Sequence, residues 1–307
     1  MFARLVPGPL VRWFARPYVA GDSIAEGLDT AARLLQDQGL LTTLDLLGEG
    51  VTRPQQVEAN VRVYRELIAG IARDDRYGLA EQRPSVSLKP SAFTTGPLEA
   101  VREPITALAE HAHEHGVALT IDMEERRWTD FTLDLACGLF DRGLDVGTVL
   151  QTRLHRTRDD LDRIPTGMRL RLVIGIYPEP EEVALIDKRA MKERMVEHGR
   201  ILLDRGVKVE FATHDDEFVE RFVREEAGRA PDHCEVQMLL GVPRAGTHRA
   251  VREGSWTTPL PVRIYVPFAI GWDDATAYLR RRMEESPSMI WLVLRNFARR
   301  RSDRPVV

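Results

Sequence analysis

The chain has 307 residues, 43% hydrophobic and 29% charged, with a net charge of −4. That is an ordinary globular composition, and an α/β barrel fits this length as one domain. The charge argues against a nucleic-acid binder, and no apolar run reaches the roughly 18 residues that span a bilayer.

Two cysteines, Cys137 and Cys234, lie far apart with no Cys-x-x-Cys or metal spacing. They read as small buried apolar residues in a reducing, cytoplasmic setting. The N-terminus carries Arg4, Arg12 and Arg16 without a continuous hydrophobic segment or a small-residue cleavage site, so it is not read as a signal peptide.

Residues 1–20 read as an irregular or short helical arm. Asp22-Ser23 suits the N-cap of a helix over 23–38, with Gly39 as its stop. A short buried strand follows at 40–47. From there the pattern alternates: helix 54–74, strand 85–89; helix 97–115, strand 117–122; helix 128–142, strand 147–151; helix 157–163, strand 169–176; helix 183–204, strand 207–212; helix 215–227, strand 234–239; helix 243–252, strand 262–267. A helix over 278–285 and a last one over 289–301 complete the chain. Eight strands alternating with helices indicate a (β/α)8 TIM barrel. No Gly-x-Gly-x-x-Gly follows a strand, which disfavours a doubly wound nucleotide fold.

In such a barrel the chemistry sits at the C-terminal strand ends. Here those ends carry Glu49, Lys89, Asp122 with Glu124 and Glu125, Gln151, Tyr177, Thr213-His214-Asp215, Gln237 and Tyr265. Strand ends meet solvent and are often polar, but a polar residue on nearly every strand favours a site. Lys89 and Asp122 suit either a structural ion pair or the two charges of a zwitterion. Lys89 precedes Pro90, so its backbone should be extended. Glu124-Glu125 lacks partner ligands, and no metal is expected. His111, His113 and His115 are read as decoration of a solvated helix face rather than as a zinc site. On the helix 278–285, Tyr278, Arg281, Arg282 and Glu285 share a sector about 100° wide, with Arg280 nearly opposite. Two guanidiniums on one face suit a carboxylate clamp, although a solvated charged helix has the same pattern.

The segments Thr43-Leu-Asp-Leu-Leu-Gly-Glu49, Val86-Ser-Leu-Lys89, Asp122-Met-Glu-Glu125, Val149-Leu-Gln151, Arg171-Leu-Val-Ile-Gly-Ile-Tyr177, Ala212-Thr-His214, Gln237-Met-Leu-Leu-Gly241, Arg263-Ile-Tyr-Val-Pro267 and Tyr278-Leu-Arg-Arg-Arg-Met-Glu-Glu285 occur in this order. In that order they resemble proline dehydrogenase in its monofunctional bacterial form, over 23–288.

The resemblance implies a distorted barrel whose last helix lies above the mouth, with noncovalent FAD. It implies one domain over 1–307, with a helical arm (1–40) and a C-terminal helix (287–307). Arg281, Arg282 and Lys89 would bind the carboxylate of L-proline, and Tyr177, Leu239, Tyr265 and Tyr278 would wall the ring. Asp122 would lie near the substrate nitrogen, and Arg171 near the flavin N5 locus. Met123, Gln151, Val173, Ile174, Gly175, Ile176, Thr213, His214 and Glu285 would hold the cofactor. Glu49 would pair with Arg281 as a lid.

The implied acceptor is a quinone, which entails a visit to the inner membrane surface. The apolar-basic segments 289–301 and 10–18 suit that contact, or simply a docked terminal helix. One loop departs from the family, which usually has Lys-Gly-Ala-Tyr where this chain has Ile174-Gly175-Ile176-Tyr177. The departure bears on flavin affinity more than on reaction type. Alternatives are a flavin-binding or proline-sensing regulator without turnover, and a folate-linked flavin reductase on a similar barrel.

Overall fold

The structure, a computed structural model, describes residues 17–271. The strands are β1 (Leu41–Leu46), β2 (Ser85–Leu88), β3 (Leu119–Ile121), β4 (Val146–Gln151), β5 (Arg169–Val173), β6 (Lys208–Ala212), β7 (Cys234–Leu239) and β8 (Val262–Phe268). They form one closed parallel barrel in chain order, sealed where β1 pairs with β8 from Leu41↔Arg263 to Leu46↔Phe268. The helices α1 (Ile24–Gln38), α2 (Pro54–Arg73), α3 (Arg102–Glu114), α4 (Thr129–Asp141), α5 (Thr157–Asp160), α6 (Lys188–Asp204), α7 (Asp216–Glu225) and α8 (Ala245–Arg252) fall between or before the strands. The expected TIM barrel is therefore present. The expected helix 278–285, the helix 289–301 and most of the N-terminal arm lie outside the described residues.

Local chemistry sets the boundaries. Ser23 caps α1 by accepting from the Glu26 amide, and Gly39 ends it in the left-handed region at φ 59°. The helix expected over 183–204 starts only at Lys188. Ala184 instead forms an antiparallel bridge with Leu154, and Asp187 supplies the N-cap by accepting from the Ala190 amide. β5 stops at Val173, three residues short of the expected end, because Gly175 turns the chain at φ 93°.

Two kinds of interior result. Between strands and helices the packing is apolar: α2 buries Tyr64, Leu67, Ile68 and Ile71, and Phe222 of α7 stacks on Phe211 of β6 with centroids 4.1 Å apart. Truncating one of these large side chains to Ala costs roughly 2–5 kcal/mol. Inside the barrel the packing is polar. The inward positions alternate with the apolar ones, as the two-residue period of a strand requires, and they are Thr43 and Asp45, Ser85 and Ser87, Arg169 and Arg171, Glu235 and Gln237, Arg263 and Tyr265. Contacts across the lumen, such as Arg171 Nη1 to Asp122 Oδ1 at 2.8 Å, fix that orientation.

His111 and His115 are half-buried rather than solvated; only His113 of the three is exposed. The end of α3 lies on α2, where the His111 ring reaches the Arg65 carbonyl. Among the described residues, no helix is long and apolar enough to cross a membrane.

Candidate active site

At the C-terminal end of the barrel one ammonium gathers three carboxylates. Lys89 leaves β2 with the extended backbone that Pro90 imposes, φ −105° and ψ 126°. Its Nζ donates to both oxygens of Asp45, at 2.7 and 2.6 Å, and lies 3.6 Å from Glu49 and 3.7 Å from Asp122. The Tyr265 hydroxyl accepts from Lys89 at 3.3 Å and donates to Asp122 Oδ2 at 2.6 Å. Asp122 Oδ1 accepts from Ser87 Oγ at 2.7 Å and from Arg171 Nη1 at 2.8 Å.

Below Asp122, Arg171 Nε donates to Gln237 Oε1 at 2.6 Å and approaches Glu210 at 3.6 Å. The Arg171 guanidinium also sits 5.1 Å from the Tyr265 ring centroid, a cation–π distance. Its Nη2 is buried and has no hydrogen-bond partner among the described residues. A buried guanidinium N–H without an acceptor is costly, so this atom marks a place for an incoming acceptor.

The titration pattern follows from the geometry. Burial opposes ionisation of Asp122, but Arg171 and Lys89 outweigh it and hold the carboxyl below its usual range. Burial also disfavours the charge on Lys89, yet the surrounding carboxylates raise its pKa, so it stays an ammonium. Burial pushes Asp45 up to about 7 despite Lys89. The two directions conflict for a simple pair. They agree once three carboxylates share one ammonium, because Asp45, the deepest at 1% exposed, is the one disposed to take a proton.

The structure brings Glu49, Lys89, Asp122, Arg171 and Tyr265 together. Around them, Gln151 is buried and donates from Nε2 to the Glu124 carbonyl at 2.8 Å, and Met123 is buried beside it in the sequence. A side chain on Gly175 would meet Gln151 Oε1 at 2.7 Å, in a conformation that L-residues rarely adopt. His214 Nε2 accepts from the Leu239 amide at 2.8 Å, and burial lowers its pKa to about 4, so it is a neutral acceptor. Thr213 Oγ1 accepts from the Asp215 amide at 3.3 Å. Leu239 and Ile176 are 47% and 58% exposed, and Tyr177 is half-buried with its carbonyl accepting from Arg153. Tyr278, Arg281, Arg282 and Glu285 lie outside the described residues.

One strand-end reading needs correction: Gln237 is not at the rim but in the lumen beneath Arg171. Glu124 lies at the strand end as expected, where it accepts from the amide and hydroxyl of Ser91, at 2.7 and 2.6 Å, and anchors the turn after β2. Sequence reasoning missed Asp45, Ser87 and Glu210; Asp45 and Ser87 share inward positions with Thr43 and Ser85 by strand period, and Glu210 reaches Arg169 and Gln237. The signal was a polar residue at alternate positions inside strands flanked by helices.

A family model described as proline dehydrogenase matches residues 28–185. "Proline dehydrogenase 2" of Bacillus subtilis (strain 168) is 32% identical over 276 residues, which are 89% of this chain and 86% of the relative. The chain belongs to the proline dehydrogenase family. The "Proline dehydrogenase" of Deinococcus radiodurans is 31% identical over 288 residues, again 89% and 86% of the two chains. Among solved structures, proline utilization A from Bdellovibrio bacteriovorus, inactivated by N-propargylglycine, matches with a TM-score of 0.76 and 19% identity. That match covers 90% of this chain but only 33% of the other, and it is a likeness of fold. As a proline dehydrogenase, the chain is an oxidoreductase that takes proline as substrate in proline catabolism.

Proposed function

We propose that this site oxidises L-proline to Δ1-pyrroline-5-carboxylate with FAD, and that a quinone receives the electrons. The observation that carries the reading is the Nη2 of Arg171, without a partner among the described residues and buried beside Asp122 and beneath Tyr265. It is a donor where an acceptor must arrive, and a flavin ring edge offers one. Met123, Gln151, Arg171, Val173, Ile174, Gly175, Ile176, Thr213 and His214 would hold the cofactor. The close backbone at Gly175 and the neutral acceptor on His214 fit that role. When bound, FAD supplies the acceptor for the hydride that leaves C5 of proline.

The chain's own residues bind and orient. Lys89, with Arg281 and Arg282, holds the substrate carboxylate. In the structure two of its three donors are engaged by Asp45 and the third by Tyr265. Protonation of Asp45, favoured by its raised pKa, weakens its hold and frees Lys89 for the substrate. Asp122 is a poor base because its pKa is low, so it positions the ring nitrogen rather than taking its proton. Tyr265, Tyr177, Tyr278 and Leu239 would wall the ring, and Glu49 would pair with Arg281 over the bound substrate. Electron delivery to a quinone entails a peripheral membrane contact by this otherwise cytoplasmic enzyme.

The test is optical. Purified protein reconstituted with FAD should be yellow, and proline under anaerobic conditions should bleach it. Yellow protein that proline does not bleach would favour a sensor or another substrate. Failure to bind FAD would remove the flavin reading altogether.

A further inference from the structure

The other end of the barrel carries chemistry that proline oxidation does not use. α3 finishes there with His111, Glu114 and the C-cap residue His115. At about 100° per residue these three positions share a sector about 100° wide. One ligand atom from each lies within 4.8 Å of the other two, and the two imidazole centroids are 4.2 Å apart.

A second observation concerns the remaining ring nitrogens. His111 Nε2 contacts the Arg65 carbonyl of α2 at 3.3 Å, and His115 Nδ1 contacts the His111 carbonyl at 2.9 Å. A carbonyl only accepts, so these nitrogens carry the protons. The lone pairs then fall on His111 Nδ1 and His115 Nε2. Metal-ligating histidines are held in this way, with the far N–H tied to a carbonyl that fixes tautomer and orientation. The three groups also occupy the last turn of a helix, whose carbonyl end favours a cation. Of the nearby charges, Arg83 donates to the His115 carbonyl at 3.4 Å and Glu110 pairs with Arg142.

We propose that His111, Glu114 and His115 form a site for a borderline divalent transition ion, of which Zn2+ is the type. Two imidazoles and one carboxylate, with a fourth position open to water, suit Zn2+. Ca2+ and Mg2+ demand six or more ligands, mostly oxygen, and do not fit. The ion sits far in the fold from Lys89 and Arg171, so it acts on stability. It pins the last turn of α3 and, through the Arg65 carbonyl, the seat of α3 on α2.

Zn2+ titrated calorimetrically into the full chain should bind at one equivalent with micromolar affinity and raise the melting temperature. Mg2+ should do neither. His111→Ala and His115→Ala should each weaken binding by at least about tenfold. Glu114 is exposed, so Glu114→Gln cannot act by unfolding the helix, and it should weaken Zn2+ several-fold. His113→Ala, on the exposed face of the same helix, should leave affinity unchanged. Zn2+ binding that survives both His111→Ala and Glu114→Gln, an equal loss in His113→Ala, or no Zn2+ effect on wild-type melting would overturn the proposal.

Discussion

The two ends of the barrel lumen use the same residue types for opposite ends. At the N-terminal end the lumen charges pair off, Arg169 and Arg263 against Glu210 and Glu235, with Asp145 60% exposed at the edge, and each guanidinium nitrogen has a partner. Arg263 makes a two-pronged contact with Glu235, at 2.7 and 3.1 Å, and gives its remaining nitrogen to the Thr42 carbonyl at 2.9 Å. Arg169 reaches Asp145, Glu210 and the Leu119 carbonyl at 2.9–3.0 Å. At the C-terminal end the described residues set three carboxylates, Asp45, Glu49 and Asp122, against two cations, Lys89 and Arg171, and leave one guanidinium nitrogen without a partner. The closed end is complete without a ligand. The mouth is not, and its mismatched charges are what a zwitterion and a cofactor can resolve. On the proposed function, this difference separates groups that hold the barrel together from groups that would act on substrate.

The largest expected effect breaks the closed end. Arg263→Met leaves the largely enclosed Glu235, 14% exposed, without its cation, which should cost about 3 kcal/mol of stability. The Arg263→Met/Glu235→Met pair should recover much of that loss. Urea unfolding of both variants checks this. A single variant as stable as wild type would mean that the closed end is not a structural plug.

The mouth should behave in reverse. Lys89→Met should lower kcat/KM for proline by about 30-fold or more, since a charge-assisted bond contributes roughly 1.5–3 kcal/mol. Its unfolding midpoint should shift little, because Asp45 can take a proton once the ammonium is gone. Steady-state kinetics and melting on the same sample decide. A stability loss as large as that of Arg263→Met would erase the distinction between the two ends.

Asp45 sharpens the comparison through pH. Its folded pKa, about 7, lies above the ordinary 3.8, so the folded state holds a proton that the unfolded state has released. Its contribution is therefore full below the ordinary value and is lost as pH rises toward about 7. The slope in that window is at most about 1.4 kcal/mol per pH unit. Asp45→Asn should remove the decline, seen as the difference between wild-type and variant urea midpoints at pH 5 and pH 7, each pH being an approximate setting within that window. A constant difference across the window would show that Asp45 is ionised throughout.

The smallest effect concerns the rim. Gly175→Ala forces a side chain into the left-handed region, against Gln151 and Arg153, at a cost of about 1–2 kcal/mol. It should weaken FAD retention while leaving the closed end intact. Equal FAD affinity in the variant would show that the turn at Gly175 is not part of a cofactor cradle.

Much of this was legible in the chain. Alternating apolar strands and helices specify a parallel barrel, because each strand must be covered on its outer face and each helix must cross back. The eight strand positions follow from that pattern to within a few residues. The extended backbone at Lys89 follows from Pro90, and the end of α1 follows from Gly39. Such features are local, set by dihedral preferences and short-range periodicity.

What the sequence did not determine depends on closure. Asp45 sits between leucines and is unremarkable until β8 brings Tyr265 across from Thr43 and β2 brings Lys89 beside it. Glu210 and Gln237 become the floor beneath Arg171 only when three separate strands converge. The anchoring of Glu124 by Ser91, 33 residues earlier, likewise depends on the fold. A charge acquires a role when its neighbours are known, since burial and partner distance decide both its energy and its protonation. Those neighbours come from strand register and barrel closure, which only the tertiary structure decides.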